Sequence, residues 1–332
     1  MKHITIPIFI PEIACPFQCL YCNQKKISGN LKPREDSEIH SIIDSYLKTI
    51  SRNESKVELG FFGGNFTGIN CDEQKHYLEL VQLYLEKGLI DSIRLSTRPD
   101  YIDQERLDLL KKHGVKSIEL GAQSMDEEVL KRSGRGHMPE DVIKASKLIK
   151  QNGFDLGLQM MIGLPGDSKQ KAIDTATQII NLGADDTRIY PTLVIKDTTL
   201  EQLYCQDKYE PLSLKESVSW TAELIMLFEE AKVNILRVGL HPSEGLTDGK
   251  DLIAGPFHNS FKELALTEIW KKQFKNLNFD KNVVEIIVNH SQLNHAVGYE
   301  SSNKKWLQTK FDKVYFKIDL LLKGREFHVN YR

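Results

Sequence analysis

The stretch Cys15-Pro16-Phe17-Gln18-Cys19-Leu20-Tyr21-Cys22 follows an alternating apolar run, Ile4 to Ile10. The run reads as a strand and the cysteines as the loop that ends it. Three thiolates this close can fill three corners of an iron–sulfur cluster, and protein clusters are normally closed by four. The fourth iron is then open to a bidentate ligand with an amine and a carboxylate. Pro16 restrains the chain after the first cysteine, and Tyr21 stands where an aromatic can pack against an adenine. The rival reading is structural zinc, which takes four ligands. The nearest candidates for a fourth, His3, His40 and Cys71, stand at no spacing typical of a zinc ribbon. Cys71 and Cys205 are isolated and read as packing residues.

From this loop onward, strand-like and helix-like runs alternate. The apolar spacing of Ile39, Ile42, Ile43 and Leu47 predicts a helix from about Ser37 to Ile50, and Val57 to Phe62 a second strand. Further strands are expected over Ser92 to Thr97, Lys116 to Gly121, Leu156 to Ile162 and Thr187 to Pro191. Helical runs near Glu73 to Glu86, Gln104 to His113, Pro139 to Asn152 and Lys169 to Leu182 separate them. Such alternation implies parallel strands joined by right-handed crossovers. Six units predict an α/β fold, an incomplete, TIM-like (β/α)6 barrel with its chemistry at the carboxyl ends of the strands. A helix from about Leu214 to Lys232 leads into Asn234 to Leu240.

Beyond that the pattern changes. A helix (Phe257 to Lys275), a strand (Val283 to Asn289), a short helix and a hairpin predict a small α+β unit. The hairpin joins Val314 to Leu322 with Phe327 to Tyr331 across Lys323-Gly324-Arg325. The chain therefore divides into a barrel core, residues 1–256, and an extension, residues 257–332.

At 332 residues, with 40% hydrophobic and 27% charged residues, the composition is that of a globular protein with a substantial core. The net charge of −2 announces no global field for nucleic acid. It is unevenly spread: residues 275–332 carry ten Lys and Arg against six Asp and Glu, a local +4. That tail suits either RNA contact or a solvated surface. No apolar run reaches the roughly 18 residues of a membrane span, and five cysteines with three clustered make no disulfide framework. A cytoplasmic protein is expected, with no membrane partner.

Phe61-Phe62-Gly63-Gly64-Asn65 ends the second strand, and glycines there let backbone approach a ligand closely. No GxGxxG or phosphate-loop pattern occurs. The cysteine spacing, with an aromatic before the last cysteine, resembles that of the radical S-adenosylmethionine (radical SAM) enzymes. Further motifs follow in order. They are Leu95-Ser96-Thr97-Arg98-Pro99-Asp100-Tyr101, Glu119-Leu120-Gly121-Ala122-Gln123-Ser124 and Arg135-Gly136-His137. Gln159-Met160-Met161-Ile162-Gly163-Leu164-Pro165-Gly166 and Ile189-Tyr190-Pro191-Thr192-Leu193-Val194 complete the series. Over roughly residues 4 to 240 the set resembles the radical SAM domain of the Elongator catalytic-subunit family, which modifies wobble uridines of tRNA.

The resemblance implies a [4Fe-4S] cluster on Cys15, Cys19 and Cys22, which are both metal ligands and the catalytic set. It implies S-adenosylmethionine (SAM) on the open iron, and reductive cleavage to methionine and a 5′-deoxyadenosyl radical. The protein then supplies position and shelter while the cofactor supplies the reaction. Tyr21, Gly63, Gly64, Gln123, Arg135 and Gln159 are the implied SAM contacts. Gly63 and Gly64 offer carbonyls to the methionine ammonium, and Gln123 reaches the ribose or carboxylate. Arg135 pairs with the carboxylate as a fork. Gln159 stands where related oxygen-independent coproporphyrinogen oxidases carry an Asp toward the ribose hydroxyls. Arg98 and Tyr190 are further candidates that ordinary packing would also explain, and His137, His241 and His258 are possible substrate contacts that singly read as structural residues. The implied partners are a tRNA substrate and an external one-electron reductant of flavodoxin or ferredoxin type, with oligomeric state open. The alternative substrate is a small molecule or porphyrinogen, and the Elongator acetyltransferase step is not carried over.

Overall fold

A computed structural model describes residues 2–10, 15, 19–23, 35–240 and 244–332. Its main sheet is built from β1 (Lys2–Phe9), β2 (Ser55–Phe62), β3 (Ser92–Thr97), β4 (Val115–Gln123), β5 (Asp155–Ile162) and β6 (Asp186–Pro191). A short β7 (Val194–Ile195) precedes β8 (Asn234–Val238), which adds a seventh strand beside β6. All six pairings are parallel and the order β1-β2-β3-β4-β5-β6-β8 follows the chain. Each crossover thus moves one place in the same direction, the winding of a barrel rather than of a doubly wound sheet. The sheet stays open, with β1 and β8 at its edges. The expected partial barrel is therefore present, one strand wider than six units.

Strand alternation separates two chemistries. Val57, Leu59, Phe61, Ile93, Leu95, Ile118 and Leu120 are buried and face the crossover helices. The intervening positions, Glu58, Gly60, Arg94, Ser96, Glu119, Gly121 and Gly157, point to the other side. That inner side is polar and narrow: a Cβ added at Gly157 would lie 2.7 Å from Glu119 Cγ. Small residues there make room for charged ones. Ser213 and Glu216 form a reciprocal capping box that starts helix Leu214–Glu230.

β9 (Leu252–Ala254) pairs antiparallel with β7 in a two-stranded patch. The last unit contains β10 (Val283–Val288), β11 (Lys313–Ile318) and β12 (Phe327–Tyr331) in the order β11-β10-β12. The expected hairpin is corrected here: β11 and β12 do not pair. β10 lies between them, parallel to β11 and antiparallel to β12. Its run Val283-Val284-Glu285-Ile286-Ile287-Val288 is the most β-branched of the three, as a central strand favours. Asn289 also donates to the Leu322 carbonyl at 2.7 Å, holding the intervening loop open. Helix Phe261–Phe274 serves both cores: Phe261, Ala265 and Ile269 join the barrel cluster, Trp270 and Phe274 the smaller one. No helix among the described residues is long and apolar enough to cross a membrane.

Candidate functional site

Cys15, Cys19 and Cys22 lie just beyond the carboxyl end of β1. Cys19 is buried, the other two half-buried. The loop is tied to its surroundings by backbone bonds: Leu20 N–H donates to Ser133 O (3.0 Å), and Leu200 N–H donates to Leu20 O (2.8 Å). Cys22 N–H donates to Cys19 O (3.0 Å), closing the turn between the last two cysteines. Cys71 and Cys205, read from sequence as packing residues, are both exposed, at the ends of helices Cys71–Leu80 and Thr199–Cys205.

Arg135 converges on this loop. Its Nη1 donates to Cys19 Sγ (3.5 Å) and its Nη2 to the Gly121 carbonyl (2.9 Å). Arg98 holds it there, donating from Nη2 to the Arg135 carbonyl (2.9 Å) and from Nε and Nη2 to Asp100 (2.9 Å each). Arg98 is fully buried, so it is a brace behind the site rather than a residue of the mouth.

Gln123 ends β4 where the register with β5 shifts, and its backbone sits at φ 64°. A non-glycine residue in the left-handed region at a bulge is strained, and such strain re-aims a side chain. Gln123 and Arg135 meet over Gly121, because a Cβ there would lie 2.8 Å from both Gln123 Nε2 and Arg135 Nη2. Across the mouth, Gly63 takes φ 96° and Asn65 pins the Gly63-Gly64 turn to β3. The Asn65 Oδ1 accepts from Thr97 Oγ1 (2.6 Å) and Arg98 N–H (3.2 Å).

The electrostatics follow from burial beside thiols. Burial pushes the Tyr21 phenol well above its usual value; Arg135 pulls it back, and the sulfurs of Cys19 and Cys22 push it further up. Tyr21 is accordingly a neutral phenol. For Arg135, burial opposes the charge, but the sulfurs of Cys19 and Cys15 favour it and the balance is raised. His137 is buried with Nε2 3.2 Å from the Ala122 carbonyl. Burial, then Arg135 and Arg98, lower its pKa to about 3, so it is neutral. The unfolded chain takes up a proton near pH 6.5 that the folded chain refuses, so stability from this group is lost as pH falls below about 6.5. Relative to His137→Gln, the wild type is expected to lose roughly 3 kcal/mol between pH 7 and 4 in urea unfolding. Parallel pH profiles for the two would show that the imidazole does not titrate this way.

Deeper in the barrel lies a charge network whose parts the sequence reading did not assign. Arg94 donates to Glu58 (2.7 Å), Glu119 (3.2 Å) and Asp186 (2.8 Å), all buried. Arg188 grips Glu119 through both oxygens (2.6 and 2.9 Å), and its guanidinium carbon lies 5.2 Å from the Phe62 ring centroid. Burial would raise the Glu119 carboxyl, but Arg188 and Arg94 outweigh it and hold it below the usual range. Gln159 rests on this network, donating from Nε2 to Glu119 (2.9 Å) and Ser96 (3.3 Å). Tyr190 stands beside Arg188, its phenol raised chiefly by burial. The readable signal was charge at inward positions of otherwise apolar strands. His258 lies apart, accepting from Ser260 N–H (3.0 Å) with its ring edge-on to Tyr299. His241 lies outside the described residues.

The residues present accommodate the cluster and SAM. Gln123 Oε1 and Arg135 Nε are buried polar atoms with no hydrogen-bond partner among the described residues, on two side chains that meet over Gly121. Buried polar groups are normally paired, so the two mark where a ligand's own polar atoms would go. No three His, Cys, Asp or Glu among the described residues are gathered as a single metal ion would need.

Residues 11–179 match the Radical SAM superfamily, and residues 184–271 match the Radical_SAM C-terminal domain. The chain belongs to the radical SAM superfamily and is a radical SAM enzyme. It is 28% identical over 253 residues to a tRNA uridine(34) acetyltransferase of Methanocaldococcus infernus, covering 64% of this chain and 47% of that protein. An uncharacterized protein of Methanocaldococcus jannaschii is 27% identical over 223 residues, 66% of this chain and 65% of that one. The chain thus spans between about half and two thirds of these relatives. Among solved structures, the archaeal Methanocaldococcus infernus Elp3 with its amino terminus deleted superposes with a TM-score of 0.66. The match covers 82% of this chain and 63% of that chain at 22% identity, a shared fold. The Elongator resemblance of the motifs is borne out.

Proposed function

We propose that this chain binds a [4Fe-4S] cluster through Cys15, Cys19 and Cys22, and SAM at the carboxyl ends of β1 to β5, to modify a base of tRNA. The observation that carries the cofactor reading is the meeting of Arg135 and Gln123 over Gly121, against Cys19, with buried polar atoms left for a ligand. Once bound, cluster and SAM supply a one-electron cleavage of a carbon–sulfur bond and hence hydrogen-atom abstraction.

The chain's own residues bind, orient and shield. Arg135 places a fixed cation against Cys19, and its Nε is the donor left for a carboxylate. The Gly63-Gly64 backbone offers carbonyls to an ammonium, at a turn that Asn65 and Thr97 keep rigid. Tyr21 remains protonated and supplies an aromatic wall. Gln159 spends its amide hydrogens on Glu119 and Ser96, which leaves Oε1 to accept from a ribose hydroxyl. An external flavodoxin or ferredoxin type of donor supplies the electron.

The tRNA reading rests on the relative named for uridine 34 of tRNA. That match spans 47% of the relative, so its acetyl transfer is not carried over. The test is mass spectrometry of tRNA nucleosides from cells with and without the gene. Loss of a modified uridine is the expected result, and an unchanged nucleoside profile overturns the tRNA substrate.

A further inference from the structure

The carboxy-terminal sheet has two unlike faces. Val284, Ile286 and Val288 of β10 turn inward onto Trp270, Phe274 and Leu307. The opposite face is half-buried to exposed along all three strands. Its registered rows are Lys313–Val283–Arg332, Tyr315–Glu285–Asn330 and Lys317–Ile287–His328. Tyr315 is 49% exposed, and Lys313, Lys317, His328, Asn330 and Arg332 are exposed around it.

From this face we infer a docking surface for single-stranded RNA segments, in which Tyr315 stacks a base and the flanking cations take phosphates. The inference rests on the RNA reading above and adds to it a place where the RNA is held. Charge favours this occupant. Three side-chain cations, Lys313, Lys317 and Arg332, stand against one carboxylate, Glu285. That carboxylate is already occupied by Lys317 (2.7 Å) and by Asn330 Nδ2 (3.2 Å), which holds it below the usual range. Lys313 forms no ion pair with a described residue. Open sheet faces with exposed aromatics are how several small modules hold unpaired bases, because every base offers a flat face. Ile287 and Val283, half-buried between the charged strands, give those bases an apolar floor.

The place of the sheet also fits a long ligand. Arg325, in the loop from β11 to β12, pairs with Glu229 near the carboxyl end of helix Leu214–Glu230. That end leads into the start of β8, whereas the cysteine loop sits at the strands' carboxyl ends. The face is thus remote from the reaction site, and an RNA engaging both must be large enough to span them.

The test is fluorescence anisotropy with the complete, cluster-loaded chain, using fluorescein-labelled oligouridylate of 12 nucleotides and an RNA duplex of equal length. The wild type is expected to prefer the single strand. Tyr315→Ala is expected to weaken it about tenfold or more. Lys313→Ala is expected to lower the salt slope by about 0.7. Melting temperature and RNA-independent SAM cleavage stay unchanged in both variants, which separates lost docking from lost folding. If the wild type binds and both variants bind equally well, the docking surface is overturned, while the tRNA substrate still stands or falls on the nucleoside profile. If the wild type binds no single strand, the surface is overturned as well. If poly-glutamate displaces the probe as well as unlabelled RNA does and Tyr315→Ala is silent, the face serves acidic proteins and the inference fails.

Discussion

Cys19→Ala is expected to abolish reductive cleavage of SAM while leaving the fold in place. Of the three cysteines Cys19 is the buried one, and it receives the Arg135 guanidinium at 3.5 Å. Removing its sulfur takes away one of the three proposed cluster ligands and also the group toward which the buried cation is aimed. Two remaining cysteines cannot supply the three-thiolate set, so iron content and brown colour fall together with 5′-deoxyadenosine formation under strong reductant. The cost to folding is modest, about 1 kcal/mol, as for a typical single substitution. Measured side by side, iron content, 5′-deoxyadenosine yield and the unfolding midpoint in urea separate a lost ligand from a lost fold. A Cys19→Ala chain that still made 5′-deoxyadenosine would sink the cofactor assignment.

The parts of this site that sequence made legible are those carried by local spacing. Cys15, Cys19 and Cys22 lie within one loop, and Gly63-Gly64 within one turn, so nearness along the chain is nearness in space. Strand periodicity likewise exposed the barrel, since buried parallel strands leave long apolar runs between helices. What spacing could not convey is long-range pairing. For Arg98, which follows a strand, the sequence left contact and packing open, and its bonds to Asp100 and the Arg135 carbonyl draw it inward. Gln159 could be placed by motif, but its bonds to Glu119 and Ser96 come from neighbouring strands. The tail shows the same limit. Lys323-Gly324-Arg325 suggested a turn between paired strands, and only tertiary structure reveals that β10 separates them.

The charge network beneath the mouth carries the other large effect. Arg94 is buried and binds three carboxylates from three strands, Glu58 of β2, Glu119 of β4 and Asp186 of β6. Its own positive charge is favoured by them against the opposing effect of burial. Arg94→Ala keeps every carboxylate and removes the cation common to all three. Glu119 retains Arg188, but among the described residues Glu58 keeps only hydroxyl partners at 3.3 and 3.5 Å, from Ser92 and Ser117. Breaking a buried ion pair from one side typically costs about 3–5 kcal/mol, because the surviving charge stays buried and unpaired. That is a large share of the 5–15 kcal/mol that holds a typical domain together. Urea unfolding of both chains at pH 7 is therefore expected to show a deficit of that size in the variant. A loss below about 1 kcal/mol would mean that the carboxylates are stabilised without Arg94. Arg94→Lys separates charge from geometry, since a single ammonium cannot present the guanidinium's fork to three acceptors at once. It is expected to fall between wild type and Arg94→Ala, and because Gln159 donates to Glu119, the disturbance extends upward to a residue of the proposed SAM site.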